Sequence, residues 1–176
     1  MEVEIRRAAA GDAAALALVG QATFLETYAH MIPWADMRAH CAGEHGEALY
    51  GGWLAEPACR IWIAEAAATA APVGYAVVRP PDLPVPTNAD DMELKRIYVL
   101  HRLHGRGLGA QLMAQALADA AEAGASRLLV GVHADNTHAL AFYARQGFSQ
   151  AGVRKFRVGG RVYDDLVLAR LTGRAT

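Results

Sequence analysis

The stretch ELKRIYVLHRLHGRGLGA, from Glu93 to Ala110, decides the fold, because a strand runs through it into glycines that open a helix. Met92 to Leu100 carries Leu94, Ile97, Tyr98 and Val99, the β-branched and aromatic weight of a strand reaching a core. Gly105, Gly107 and Gly109 then alternate with Arg106 and Leu108, and strong helix formers follow from Ala110 to Ala118. Glycines let the backbone turn tightly with no Cβ to hold a ligand away, while the helix start presents unpaired N–H groups at a positive dipole end. The combination is an anion cradle suited to phosphate, although a Gly-rich connector between a strand and a helix has the same pattern.

The common nucleotide motifs fit poorly. No G-x-x-x-x-G-K-S/T occurs, G-x-G-x-G departs from G-x-G-x-x-G, and Asp119 comes too soon for a ribose-binding acid. HGRGLGA instead resembles the Q/R-x-x-G-x-G/A pyrophosphate loop of the GNAT superfamily of N-acetyltransferases, which use acetyl-coenzyme A. Downstream, Asn136-Thr137-His138-Ala139-Leu140-Ala141-Phe142-Tyr143 and Arg145-Gln146-Gly147-Phe148 are similar to that family's N-x-x-A-x-x-F-Y-x-x-x-G-F block. His104 is the departure, standing where the family has Gln or Arg. Its ring can donate to phosphate less strongly than a guanidinium, so capture should lean on the backbone amides and on Arg106.

The resemblance implies roles residue by residue. The turn and helix start, His104 to Ala110 including Leu108, would hold the diphosphate. Ile97, Tyr98 and Val99 would meet the pantetheine and thioester through main-chain groups, and Asn136 would contact the pantetheine arm while capping its helix. Tyr143 would give its phenolic proton to the departing thiolate; a buried aromatic whose hydroxyl simply finds a partner is the plainer reading. Glu93 lies eleven positions before His104, the separation at which the histone-acetylating branch places its general base. A solvated carboxylate opening a strand reads equally well. A base is required, because an alkylamine with pKa ~10.4 is free in only about one molecule in a thousand at neutral pH. The first two helices would wall the acceptor side, making Phe24, Thr27, Tyr28 and Trp34 candidate substrate contacts as well as candidate packing residues.

Composition bounds the remainder. The 176 residues carry 17 Lys+Arg against 18 Asp+Glu, a net charge of -1, which argues for one domain spanning residues 1–176 and against a general nucleic-acid or membrane-surface binder. Cys41 and Cys59 form no CxxC or zinc-spaced cluster, and the pairs His101/His104 and His133/His138 read as surface or turn histidines, so no metal is expected. The charged start MEVEIRRAAAGD lacks the apolar run of a signal peptide, and a cytoplasmic chain is the expectation.

In chain order the patterns predict a strand at Val3 to Ile5, a helix capped by Asp12 from Ala13 to about Ala29, and a second helix opening at Pro33 toward Leu54 with breaks at its glycines. A hairpin of Arg60 to Ala66 and Val73 to Arg79 follows, with a turn ending in Pro72. Beyond a proline-rich loop come the central strand, the glycine helix, a strand at Arg127 to Val132, the Asn136 helix, and a closing hairpin about Gly159-Gly160. The order β-α-α-β-β-β-α-β-α-β-β is an α/β architecture with helices on both faces of a mixed sheet; the resemblance makes that sheet mostly antiparallel.

The expected function is acetyl transfer from acetyl-coenzyme A to a primary amine of a small molecule by direct attack in a ternary complex. ELKRIYVL with the closing segments is similar to bacterial polyamine-type members, which suggests a polyamine. Peptide N-termini or lysine side chains are rival acceptors, and a coenzyme A sensor without turnover is the rival from another class. Many members form homodimers, a state the resemblance leaves open.

Overall fold

Alternation along the central strands sorts the apolar side chains onto two faces, and that sorting places the helices. The computed structural model describes residues 1–173. In chain order it contains β1 (Val3–Arg7), α1 (Ala13–Tyr28), α2 (Trp34–Glu44), α3 (Glu47–Ala55), β2 (Arg60–Ala66), β3 (Ala71–Arg79), β4 (Asp91–Val99), α4 (Leu108–Glu122), β5 (Arg127–His133), α5 (Thr137–Arg145), β6 (Ser149–Val158) and β7 (Arg161–Leu171). The strands form one seven-stranded sheet in the order β1-β2-β3-β4-β5-β7-β6. All neighbours are antiparallel except β4 and β5. On one face Ile61, Ile63, Tyr75 and Val77 pack with Leu16 and Val19 of α1 and with Tyr50 and Trp53 of α3. On the other, Ala64, Ala76, Val78 and Leu94 pack with Leu112, Met113 and Ala116 of α4. Period-two strands between apolar helix faces thus give the expected α/β layering.

The sheet opens at its middle. The parallel β4–β5 ladder runs from Asp91↔Arg127 only to Glu93↔Leu129, although both strands continue beyond it. Its closed end is pinned by Arg127, whose Nε and Nη2 donate to the buried Asp91 carboxylate at 2.9 and 2.6 Å. Where the ladder stops, Val78 faces Leu94 and Val77 faces Arg96, so Lys95 is an extra residue on β4. Such a bulge bends and twists its strand. Here it carries the second half of β4 away from β5.

Four expectations need correction. Of the breaks expected at Gly43, Gly46 and Gly51-Gly52, only that at Gly46 occurs, dividing α2 from α3 at His45-Gly46. A Cβ on Gly46 would lie 2.5 Å from Ala42 O, so this turn requires glycine, whereas Gly51 and Gly52 sit inside α3, held by the burial of Tyr50 and Trp53. Pro33 precedes α2 rather than opening it. Asp12 makes no side-chain cap to α1; its carboxylate accepts from Ala9 N at 2.7 Å and pairs with Arg6 at 2.7 Å, serving a 3-10 turn one step earlier. The β2–β3 turn ends before Ala71, and Pro72 lies inside β3 at a register shift opposite Glu65, where a missing donor is tolerated.

Candidate active site

The opening between β4 and β5 is a cleft of about 980 Å³. β4 from Leu94 to Val99 forms one wall and β5 from Val130 to His133 the other, with Gly105 and Gly107–Ala110 at one end and Asn136 and Tyr143 of α5 alongside. Strand alternation decides which main-chain groups face it. Leu100 N donates to Val73 O of β3 at 2.9 Å, so the groups one residue earlier point the other way. Val99 O accordingly accepts from His104 Nε2 at 2.8 Å, and Ile97 shares its direction. With no β5 partner past Glu93, the main-chain groups of Ile97 and the N–H of Val99 face open cleft.

The turn before α4 has the form of an anion cradle. Gly105 and Gly107 hold φ of +76° and +78°, the left-handed region that a Cβ disfavours, and nothing crowds either position. Gly109 makes no such demand: a Cβ there would meet the Phe142 ring at 3.5 Å, an ordinary packing distance. Among the described residues the N–H groups from Gly105 to Ala110 have no hydrogen-bond acceptor, and the first to re-enter the helix is Gln111, on Gly107 O at 3.0 Å. Because Nε2 of His104 gives its proton to the Val99 carbonyl, the neutral ring offers only a lone pair at Nδ1 and can donate to an anion only when protonated. Its ring stacks on His138 at 5.4 Å. The exposed Arg106 does not line the cleft, which leaves the main chain as the principal donor set.

Asn136 caps α5, its Oδ1 accepting from Ala139 N at 3.0 Å. Tyr143 is buried between Phe142 and Phe148, with centroids 5.4 and 5.6 Å away. Burial, with a further push from Tyr98, raises its phenol above the ordinary value. It therefore stays protonated at neutral pH, as a proton donor must.

A second cavity, of about 380 Å³, adjoins the first through residues that line both, among them Tyr28, Lys95, Tyr98, Gly131 and His133. Glu93 faces this cavity and is only 2% exposed. It is not a solvated carboxylate: Asp82 N donates to Oε2 at 2.8 Å and Lys95 Nζ lies 3.5 Å from Oε1. At the rear Tyr50 is a hub. Arg96 Nη1 donates to its hydroxyl at 2.9 Å, and His45 Nδ1 and the Tyr75 hydroxyl lie 3.0 Å away. Burial first, then Arg96 and His40, pushes His45 down to about 2, so its ring is neutral there.

The four expected substrate contacts separate. Tyr28 lines both cavities; its phenol is raised by Tyr98 first and by burial second. Phe24 lines the second cavity, stacked on His40 at 4.4 Å. Thr27 borders the first, with its hydroxyl spent on Thr23 O at 2.7 Å. Trp34, 72% exposed, lines neither. Arg96, His133, Arg154, Tyr163 and Asp165 line the second cavity without having stood out in the sequence. Arg96, a charge set inside the apolar run of β4, carried the one usable signal.

Comparison with known proteins agrees with this geometry. The sequence model described as the acetyltransferase (GNAT) family matches residues 26–148. Uncharacterized N-acetyltransferases of Mycobacterium bovis and Mycobacterium tuberculosis are 40% identical over 98 residues, covering 56% of this chain and 59% of theirs. The chain thus spans well under two thirds of the length of these relatives. Among solved structures, the PaiA N-acetyltransferase of Thermoplasma acidophilum in complex with coenzyme A superposes with a TM-score of 0.76 at 17% identity, over 97% of this chain and 99% of that one. The ribosomal-protein-S18-alanine N-acetyltransferase of Escherichia coli gives 0.71 at 18% identity, over 99% and 97%. At such identities the likeness shows the fold. No helix among the described residues is long and apolar enough to cross a membrane.

Proposed function

The chain belongs to the acetyltransferase (GNAT) family, and from that premise we propose that it is an acetyl-coenzyme A-dependent N-acetyltransferase, acting as one domain on the primary amine of a small molecule. One observation carries the reading. A row of unpaired amides leads through a continuous cleft to a protonated tyrosine, beside a second cavity that holds a buried carboxylate.

Acetyl-coenzyme A, when bound, supplies the thioester whose acyl carbon is attacked. The amides from Gly105 to Ala110 and the α4 dipole hold its diphosphate. The main-chain groups of Ile97 and Val99 order the pantetheine by extending the sheet across the splay, Tyr98 completes that wall, and Asn136 closes it from α5. A backbone N–H aimed at the carbonyl oxygen contributes about 3 kcal/mol where charge develops. Glu93, directly or through one water, takes the proton from the amine as nitrogen bonds to carbon, and Tyr143 returns a proton to sulfur as the C–S bond breaks. The walls common to both cavities support direct attack in a ternary complex, without an acyl-enzyme. Cys41 and Cys59 are free thiols, which supports a reducing, cytoplasmic setting.

The test is thiol release from acetyl-coenzyme A with separate amines, including spermidine and a tetrapeptide with a free N-terminus. Stoichiometric thiol release and amide formation with a small amine are expected. Tight coenzyme A binding with no thiol release across a broad panel would contradict enzymatic transfer and leave a coenzyme A sensor.

A further inference from the structure

The second cavity contains polar atoms that the protein leaves without partners. Asp165, on β7, is 4% exposed. Its Oδ2 accepts from Arg154 Nε and Nη2 at 3.0 and 2.9 Å, yet among the described residues its buried Oδ1 has no hydrogen-bond partner, with His133 Nδ1 3.7 Å away. That nitrogen is already engaged with Asp164 O at 3.1 Å. The Tyr163 hydroxyl in the same wall is buried and unpartnered as well. Leaving such groups unsatisfied costs about 1–3 kcal/mol each, so their presence in a cavity wall points to a ligand that supplies an N–H donor.

Charge at the cavity says what else that ligand carries. Lys95 is neutralised by Glu93 and Asp82, at 3.5 and 3.7 Å, and Arg154 by Asp165. Arg96 is different. It is 8% exposed, its guanidinium lies over Trp53 at 4.7 Å, and its nearest carboxylate, Glu44, stands 3.7 Å away and is 59% exposed. A buried guanidinium without a hydrogen-bonded carboxylate is incompletely compensated, and it lines the cavity. Arg157 adds a further positive charge to the lining.

Resting on the transferase reading above, we propose that the acceptor is a small amine that also bears a carboxylate, the chemical class of free amino acids, with Arg96 holding the carboxylate and Asp165 Oδ1 receiving an N–H of the amine. A polycation would meet the surplus positive charge unfavourably, and the volume of about 380 Å³ suits a compact molecule. Bidentate guanidinium–carboxylate pairing then fixes the orientation of the amine.

The experiment compares amines that differ only in the carboxylate, such as phenylalanine with phenethylamine and methionine with its decarboxylated amine, together with spermidine, by thiol release from acetyl-coenzyme A. The amino acid is expected to exceed its decarboxylated partner at least tenfold in kcat/KM. The Arg96→Gln variant, verified as folded by its thermal transition, is expected to narrow that ratio toward one, chiefly through KM. Equal or better turnover of the decarboxylated amines or of spermidine overturns the class while leaving acetyl transfer standing. Absence of thiol release with every amine overturns both. The wild-type comparison decides the matter even if the variant does not fold.

Discussion

The two cavities share a wall along β4, but they are built from different materials. On the cleft side the working groups are main-chain amides and carbonyls, set by two left-handed glycines, a bulge at Lys95 and a ladder that stops at Glu93. Side chains there mostly keep space open or pack, as Phe142 does against Gly109. On the other side every working group is a side chain: Glu93 and Arg96 from β4, His133 from β5, Arg154 from β6, Asp165 from β7 and Tyr28 from α1. On the proposed reading, the ligand common to the family would be gripped by backbone geometry, and the partner that varies would be met by groups that single substitutions can change.

That contrast can be broken by mutation. The largest effect is expected from Glu93→Gln, which keeps the bond from Asp82 N but removes the base; kcat should fall by about 10² to 10³ with coenzyme A affinity little changed. Equal loss of coenzyme A binding would show Glu93 to be a structural strut. Tyr143→Phe should lower kcat by about 10², with recovery when the leaving thiol is made more acidic. Gly107→Val places a β-branched residue at φ +78°. Strain of about 1–3 kcal/mol should weaken coenzyme A binding by roughly tenfold or more, measured by calorimetry, although no side-chain contact has been removed. A Cβ on Gly131 would lie 2.4 Å from the Arg154 guanidinium. Gly131→Ala should therefore shift Arg154 from Asp165 and raise the acceptor KM several-fold more than that of acetyl-coenzyme A.

A further effect concerns stability and pH. His45 is neutral in the fold, held down to about 2 by burial and then by Arg96 and His40, whereas the unfolded ring titrates near ~6.5. Below that value the unfolded chain binds the extra proton, so stability falls as pH drops below about 6.5, the slope growing toward a limit of about 1.4 kcal/mol per pH unit. Urea titrations at pH 7, 6 and 5 should show this slope, and His45→Gln should flatten it. Asp12 and Asp91 have lowered carboxyl values. For Asp12 the cause is chiefly Arg6, while for Asp91 burial pushes upward and is outweighed by Arg127 and Asn88 N–H. Their contributions are present above the unfolded carboxylate value near ~3.9 and are lost as pH falls through the folded ones, below the pH range of those urea titrations.

The cleft was legible in the sequence because its determinants are local. Gly105, Gly107 and Gly109 sit within five residues of each other, and Asn136 to Phe148 spells out one helix and its exit. The second cavity was not, because its side chains come from six segments and meet only through sheet register: Arg154 faces Asp165, and His133 faces Asp165 from the other side. No spacing rule joins residues 93, 133, 154 and 165. Of the breaks read at Gly43, Gly46 and Gly51-Gly52, only that at Gly46 divides helices. Gly46 is required by a close approach to Ala42 O, while Gly51 and Gly52 are tolerated because Tyr50 and Trp53 anchor their helix. Trp34 was a candidate because the resemblance sets the first two helices against the acceptor, and its place on the outer surface follows from the face of α2 that turns inward at Met37.

Amide NMR spectra of labelled protein, titrated separately with coenzyme A and with pantetheine, which lacks the diphosphate, test the cradle most directly. The amides of Gly105, Gly107, Leu108, Gly109 and Ala110 should move strongly downfield with coenzyme A and little with pantetheine, whereas Ile97 and Val99 should respond to both. If the amides from Gly105 to Ala110 stay in place while coenzyme A binds, main-chain capture of the diphosphate is wrong, and the acetyl donor does not lie along β4.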